Sequence, residues 1–137
     1  MSRWYLDTSA AAKLLRTEVE SAALARELDT MGPELVACYL LETEMRRIVG
    51  REAGVTHAAV TAVIDGVDLY EVPPSLFREA GLLPGATLRS LDAIHLAAAV
   101  RLGVDAVLTY DTRMGDAARD LGLAVIAPGG IAAPLSP

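Results

Sequence analysis

A chain of 137 residues, 53% hydrophobic but only 4% aromatic, has material for one domain whose core is built mainly from Ala, Leu and Val. Its formal net charge of −6 excludes a protein that coats nucleic acid by global attraction, so any nucleic acid must be gripped locally or through metal. A single cysteine, Cys38, excludes an internal disulfide, a thiolate metal site and a CxxC redox motif; Asp7 interrupts the apolar stretch a signal peptide needs, and no apolar run reaches bilayer-spanning length, so a cytoplasmic protein with no membrane association is expected.

In chain order, Trp4, Tyr5 and Leu6 predict a short strand ending at Asp7, with Thr8 and Ser9 suited to cap a helix over 10–15. Apolar residues Val19, Ala22, Ala23, Leu28 and Met31 predict a helix over 18–31, stopped by Gly32 and Pro33, and a brief strand follows at 35–37. Leu40, Leu41, Met45, Ile48 and Val49 recur at helical spacing over 39–53 and place Glu44 in that helix's amino-terminal half. Thr56 can cap a helix over 56–64; Val67, Leu69 and Tyr70 then predict a strand that runs into Pro73 and Pro74. Residues 75–89 read as helix or loop. Ser90 can cap a helix running to about Leu102, with Asp92 in its first turn and Gly103 closing it. Residues 106–109 read as a buried strand leading to Tyr110 and Asp111, then a helix over 112–121 and a last strand over 124–126. The tail 128–137 is uncharged and rich in Pro, Gly and Ala, which suits a surface strap or a frayed end beyond a domain over 1–127.

Strands alternating with helices imply right-handed parallel crossovers, and ligands of such sheets bind beyond the carboxyl ends of the strands. Asp7 and Asp111 meet there, and Asp92 in a helix's first turn is held ionised by the positive end of the macrodipole. Unit charges about 4 Å apart repel by roughly 4 kcal/mol at an effective dielectric near 20, so acids gathered in this way need a cation. Oxygen-only ligands favour Mg²⁺ or Mn²⁺ over zinc, and the natural chemistry is phosphodiester hydrolysis by a metal-activated water. On spacing alone Glu44 and Glu42 are equal candidates. Asp116 is an auxiliary metal acid or an ordinary helix charge; Arg46, Arg47 and Arg113 either clamp phosphates or pair with acids. His57 and His95 read as structural.

Other phosphoryl-transfer designs fit less well. Asp7-Thr8-Ser9 is not the DxD pair of aspartyl-nucleophile phosphatases, and Lys13, the sole lysine, is not placed as a receiver domain requires. No GxxxxGK[ST] or GxGxxG follows a strand.

Three segments in order, Tyr5-Leu6-Asp7-Thr8-Ser9-Ala10, Leu91-Asp92-Ala93-Ile94-His95-Leu96-Ala97 and Leu108-Thr109-Tyr110-Asp111 with Ala117-Ala118 and Leu121-Gly122, closely resemble the PIN domain of VapC-type toxins. The resemblance spans nearly the whole chain. That family's second acid lies in a pattern like Leu-x-x-Thr-Glu-hydrophobic-x-Arg, which maps onto Leu40 or Leu41, Thr43, Glu44, Met45 and Arg47 and so selects Glu44 over Glu42. The resemblance implies an α/β/α three-layer fold around a mostly parallel sheet of four or five strands. It further implies an Mg²⁺- or Mn²⁺-dependent endoribonuclease, usually a homodimer, that cuts structured RNA such as tRNA or rRNA and is inhibited by a VapB-like antitoxin whose tail fills the groove. The expected catalytic residues are Asp7, Glu44, Asp92 and Asp111; the metal set adds Asp116, and Thr8, Ser9, Arg47 and Arg113 are the expected substrate contacts. The competing reading is a non-catalytic module that holds metal structurally and acts by binding RNA or a partner.

Overall fold

The computed structural model describes residues 1–130. Twelve elements follow in order: β1 (Arg3–Leu6), α1 (Thr8–Lys13), α2 (Ser21–Met31), β2 (Glu34–Cys38), α3 (Leu40–Arg51), α4 (His57–Ile64), β3 (Asp68–Tyr70), α5 (Pro74–Gly81), α6 (Ser90–Leu102), β4 (Ala106–Leu108), α7 (Thr112–Asp120) and β5 (Ala124–Ile126).

The five strands form one sheet in the order β3-β2-β1-β4-β5, every pair parallel. Trp4, Tyr5, Leu6, Val36, Ala37, Val107 and Leu108 are buried, as strands covered on both faces require. The chain winds outward from β1 to β3 and then returns to place β4 on the other side of β1, so the strand order reverses between β1 and β4. With right-handed crossovers, this reversal puts α1 to α4 on one face and α5 to α7 on the other, and it opens a crevice beyond the carboxyl ends of β1 and β4. The helix contacts agree: α1 and α4 pack on α3, whereas α5 and α7 pack on α6, which lies against β2.

α6 is the most deeply placed helix, with Ala93, His95, Leu96, Ala97, Ala98 and Ala99 all buried. Alanines there let the helix approach its neighbours closely. It ends where Gly103 adopts φ 63°, a left-handed cap that an L side chain disfavours. The ambiguous stretch after Pro73 resolves into α5, whose first residue is Pro74, a position that suits proline because its missing N–H would find no helical partner anyway. α2 starts at Ser21 rather than at Glu18. Ser21 Oγ accepts from Glu18 N–H at 3.0 Å and lies 2.7 Å from the carbonyls of Lys13 and Arg16, which fixes a turn where the sequence pattern suggested helix.

Described tail residues pack against the body. Tyr110 Oη donates to the Pro128 carbonyl at 2.7 Å, and Gly129 lies so close to α2 that a Cβ there would come within 2.9 Å of Ala23 Cβ. The rest of the predicted strap, 131–137, lies outside the described residues. Among the described residues no helix is long and apolar enough to cross a membrane.

Candidate active site

Asp7 follows β1 directly and is 4% exposed. It holds the N-cap position of α1, yet its carboxylate makes no cap bond. Instead Oδ2 accepts from Ser9 Oγ at 2.7 Å and from Thr109 Oγ1 at 2.8 Å. These hydroxyls stitch the loop after β1 to the loop after β4: Ser9 Oγ also accepts from Tyr110 N–H at 2.9 Å, and Thr109 Oγ1 accepts from Asp111 N–H at 3.1 Å. Asp7 Oδ1 has no hydrogen-bond partner among the described residues, where no buried side-chain N or O is left unpaired. That oxygen therefore opens onto the crevice.

Asp111 repeats the position after β4 and uses it differently. Its Oδ1 accepts from Met114 N–H at 3.1 Å and caps α7. Oδ2 is unengaged among the described residues.

Glu44 reaches the crevice from α3. Its Oε1 accepts from Thr8 Oγ1 at 2.6 Å and bonds His95 Nε2 at 2.5 Å, and Oε2 has no partner among the described residues. His95 is fully buried, with Nδ1 2.7 Å from Tyr5 Oη and its ring edge-on to Tyr5 at 5.7 Å between centroids. Burial pulls the imidazole pKa down, but contacts with Cys38 and Glu44 and the charges of Asp7 and Glu44 outweigh it and raise it from 6.5 to about 10. Burial likewise pushes the Glu44 carboxyl up, and His95 and Thr8 more than reverse this, leaving it below its ordinary value. The pair is thus imidazolium and carboxylate at neutral pH. Both ring nitrogens then donate, Tyr5 Oη accepts from His95 and from Cys38 N–H at 3.1 Å, and its own proton points to Cys38 Sγ at 3.3 Å, so the side-chain polar atoms of His95 and Tyr5 are all matched.

Asp92 lies in the first turn of α6, and its carboxylate makes no hydrogen bond to any described residue. Its pKa is raised, first by burial and then by the charges of Asp7, Asp111 and Glu44, with His95 opposing. The four acids therefore share one electrostatic neighbourhood. They do not form a closed cage: among the described residues no three His, Cys, Asp or Glu side chains converge as a finished metal site. Asp7, Glu44 and Asp111 are each held by their own anchors.

Other predicted residues divide. The hydroxyls of Thr8 and Ser9, expected to cap α1 and meet substrate, are spent on Glu44 and Asp7. Asp116 is 73% exposed and pairs with Arg119 at 3.3 Å, sharing no contact with the other acids. Glu42 turns to Arg46, which also donates to His57 O at 2.9 Å and Thr61 Oγ1 at 2.8 Å and so belongs to the α3–α4 contact. Arg47 and Arg113 are exposed and have no partner among the described residues. Tyr5 and Thr109, unremarked as site residues in the sequence, turn out to support the acids: Thr109 donates to Asp7, and Tyr5 holds His95, which bonds Glu44. The signal was a phenol in an apolar strand and a threonine between a buried strand and an acid.

Anchored on one oxygen and free on the other, Asp7, Glu44 and Asp111 each offer a single ligand atom, and Asp92 offers two. Such an all-oxygen, open set suits a hard cation that keeps waters and completes its shell with substrate oxygens, as Mg²⁺ does.

The PIN domain family pattern matches residues 4–120. Ribonuclease VapC46 of Mycobacterium tuberculosis is 44% identical over 130 residues, covering 93% of this chain and 99% of its own length. Ribonuclease VapC35 of the same species is 43% identical over 130 residues, covering 91% and 96%. Among solved structures, VapC20 of M. tuberculosis superposes with a TM-score of 0.71 at 20% identity, covering 91% of this chain and 99% of that one. VapBC2 from Rickettsia felis superposes at 0.73 with 10% identity, covering 90% and 97%; at such identities both speak for the fold alone. With the family pattern spanning most of the sequence and relatives matched nearly end to end, the chain belongs to the PIN-domain family, in its VapC-type branch.

Proposed function

We propose that the protein is a metal-dependent endoribonuclease, the toxin of a toxin–antitoxin pair, cutting structured RNA such as tRNA or rRNA in the cytoplasm. The observation that carries this reading is the set of free carboxylate oxygens on Asp7, Glu44, Asp92 and Asp111 around the crevice where the strand order reverses. The ribonuclease names of relatives 36–44% identical support it.

Those oxygens would hold Mg²⁺ or Mn²⁺, which when bound makes water a stronger nucleophile and neutralises charge developing on the scissile phosphate. The chain's own groups supply orientation. Ser9 and Thr109 fix Asp7, and Thr8 and His95 fix Glu44. Asp116 joins the set only by exchanging its Arg119 partner. At a net charge of −6 the molecule repels RNA at long range, so the exposed Arg47 and Arg113 take the backbone phosphates. A VapB-like antitoxin that covers the crevice and a second copy of the chain are the partners this reading supplies.

The test is cleavage of total cellular RNA by wild type and Asp7→Asn, each with EDTA, Mg²⁺ or Mn²⁺, with the ends mapped. Discrete metal-dependent cuts absent from the variant are expected. Tight RNA binding without any cut would replace this reading with a binding module.

A further inference from the structure

The structure assigns His95 a positioning role: its imidazole, clamped from behind by Tyr5, fixes one oxygen of Glu44 so that the other is presented to the crevice. The assignment rests on the metal-dependent reaction proposed for these carboxylates.

Glutamate on a helix has three side-chain torsions and, where half-buried, several open rotamers. Here His95 Nε2 at 2.5 Å and Thr8 Oγ1 at 2.6 Å both bond Oε1, and two donors on one oxygen leave the carboxylate a single orientation. The imidazole is itself immobile. It is 0% exposed, Tyr5 Oη holds its far nitrogen at 2.7 Å, and Cys38 N–H holds Tyr5 Oη at 3.1 Å. One chain of contacts thereby links α3, α6, β1 and the end of β2. The other buried residues of α6 are alanines and a leucine, and an apolar side chain among them would fill the space without the cost of burying a polar ring. A fully bonded polar group aimed at one candidate ligand matches the part played by outer partners of metal-binding carboxylates.

The experiment compares wild type, His95→Leu, His95→Gln and His95→Asn by calorimetric Mn²⁺ titration and by kcat and KM for RNA, with Trp4 fluorescence and circular dichroism reporting the fold. Glutamine sets an amide N–H near the place of Nε2, whereas asparagine's sits near Nδ1 and cannot reach Glu44. Expected are Mn²⁺ binding weakened about 10–100-fold in His95→Leu with the loss of rate in kcat rather than KM, and recovery of most of that affinity in His95→Gln but not in His95→Asn. In a Glu44→Gln background, His95→Leu should add no further loss. A folded His95→Leu that binds Mn²⁺ within about twofold of wild type overturns the assignment; if that variant does not fold, equal affinities in His95→Gln and His95→Asn overturn it. A wild type that neither binds Mn²⁺ nor cuts RNA would instead fail the proposed reaction itself.

Discussion

Asp7 and Asp111 stand at equivalent points, each at the N-cap of a helix beyond one of two neighbouring parallel strands, but Asp111 alone spends an oxygen on its helix. Their substitutions should therefore separate stability from activity in different ways. Asp111→Ala loses the cap to Met114 N–H and about 1 kcal/mol of stability, whereas Asp111→Asn keeps an acceptor and nearly all of it. Asp7→Asn leaves stability unchanged or slightly higher and lowers cleavage by roughly a hundredfold or more. Urea melts beside RNA cleavage rates check all three; a large stability loss in Asp7→Asn would mark that acid as a fold determinant.

Thr109 is buried, donates to Asp7 Oδ2 and accepts from Asp111 N–H. Thr109→Val keeps the shape but leaves that N–H without its acceptor and frees the Asp7 carboxylate. The expected outcome is a loss of roughly 1–3 kcal/mol in denaturant unfolding, together with weaker Mn²⁺ binding.

Asp92 has no hydrogen-bond donor beside it, and burial and three like charges raise its pKa. Ionising it therefore costs stability as pH rises through its range when no cation is present. At pH 7 in EDTA, Asp92→Asn should melt at the same temperature or roughly 2–4 °C higher than wild type. Added Mg²⁺ should raise the wild-type melting temperature and leave the variant's almost unmoved. Scanning calorimetry with and without Mg²⁺ decides.

For the Glu44–His95 pair the sign works in opposite directions at the two ends. His95 has a folded pKa of about 10 against 6.5, so its contribution is complete below pH 6.5 and disappears as pH rises toward 10. Glu44 is held below 4.5, so its contribution is present above that value and disappears as pH falls. Stability supplied by the pair is greatest between about pH 4.5 and 6.5 and declines on both sides. His95→Gln should flatten the alkaline limb of a Tm-against-pH curve measured in EDTA; an alkaline limb as steep as wild type's would contradict the assigned charge state.

Arg47 and Arg113 are exposed and lack acidic partners among the described residues. Arg47→Ala and Arg113→Ala should each raise KM for RNA with little change in kcat and reduce the salt-dependence slope of binding by about one. Filter binding across a salt series reads this directly, and unchanged slopes would remove these arginines from the phosphate path.

Strands β1 and β4 are legible because buried parallel strands are unbroken apolar runs, and Asp7 and Asp111 are legible because they come just after those runs, whereas Glu44 and Asp92 lie on helices. The sequence leaves α5 between helix and loop, since Pro73 before it, Pro74 at its first position, and Pro84 and Gly85 after it are breakers that also suit a helix's first turn and its exit. What no local pattern shows is where a hydroxyl goes. Thr8 and Ser9 have the composition of caps, yet their partners include residues 36 and 100 positions away, Glu44 and Thr109. His95 looked like one more filler of an apolar helix for the same reason: Glu44 is 51 positions and Tyr5 90 positions distant in sequence.

The unused cap at Asp7 bears on heredity as well as chemistry. Aspartate and asparagine codons differ by one base, and Asp7→Asn removes a carboxylate charge while retaining a side chain that Ser9 and Thr109 can still hold. On the proposed reaction, disarming the protein takes a single transition and no refolding of the scaffold. A lineage carrying such a copy would keep the surface its partners meet while losing the blade; the same codon change at Asp111 also preserves its helix cap, so only a residue without an acceptor, such as Ala, makes the scaffold itself resist there.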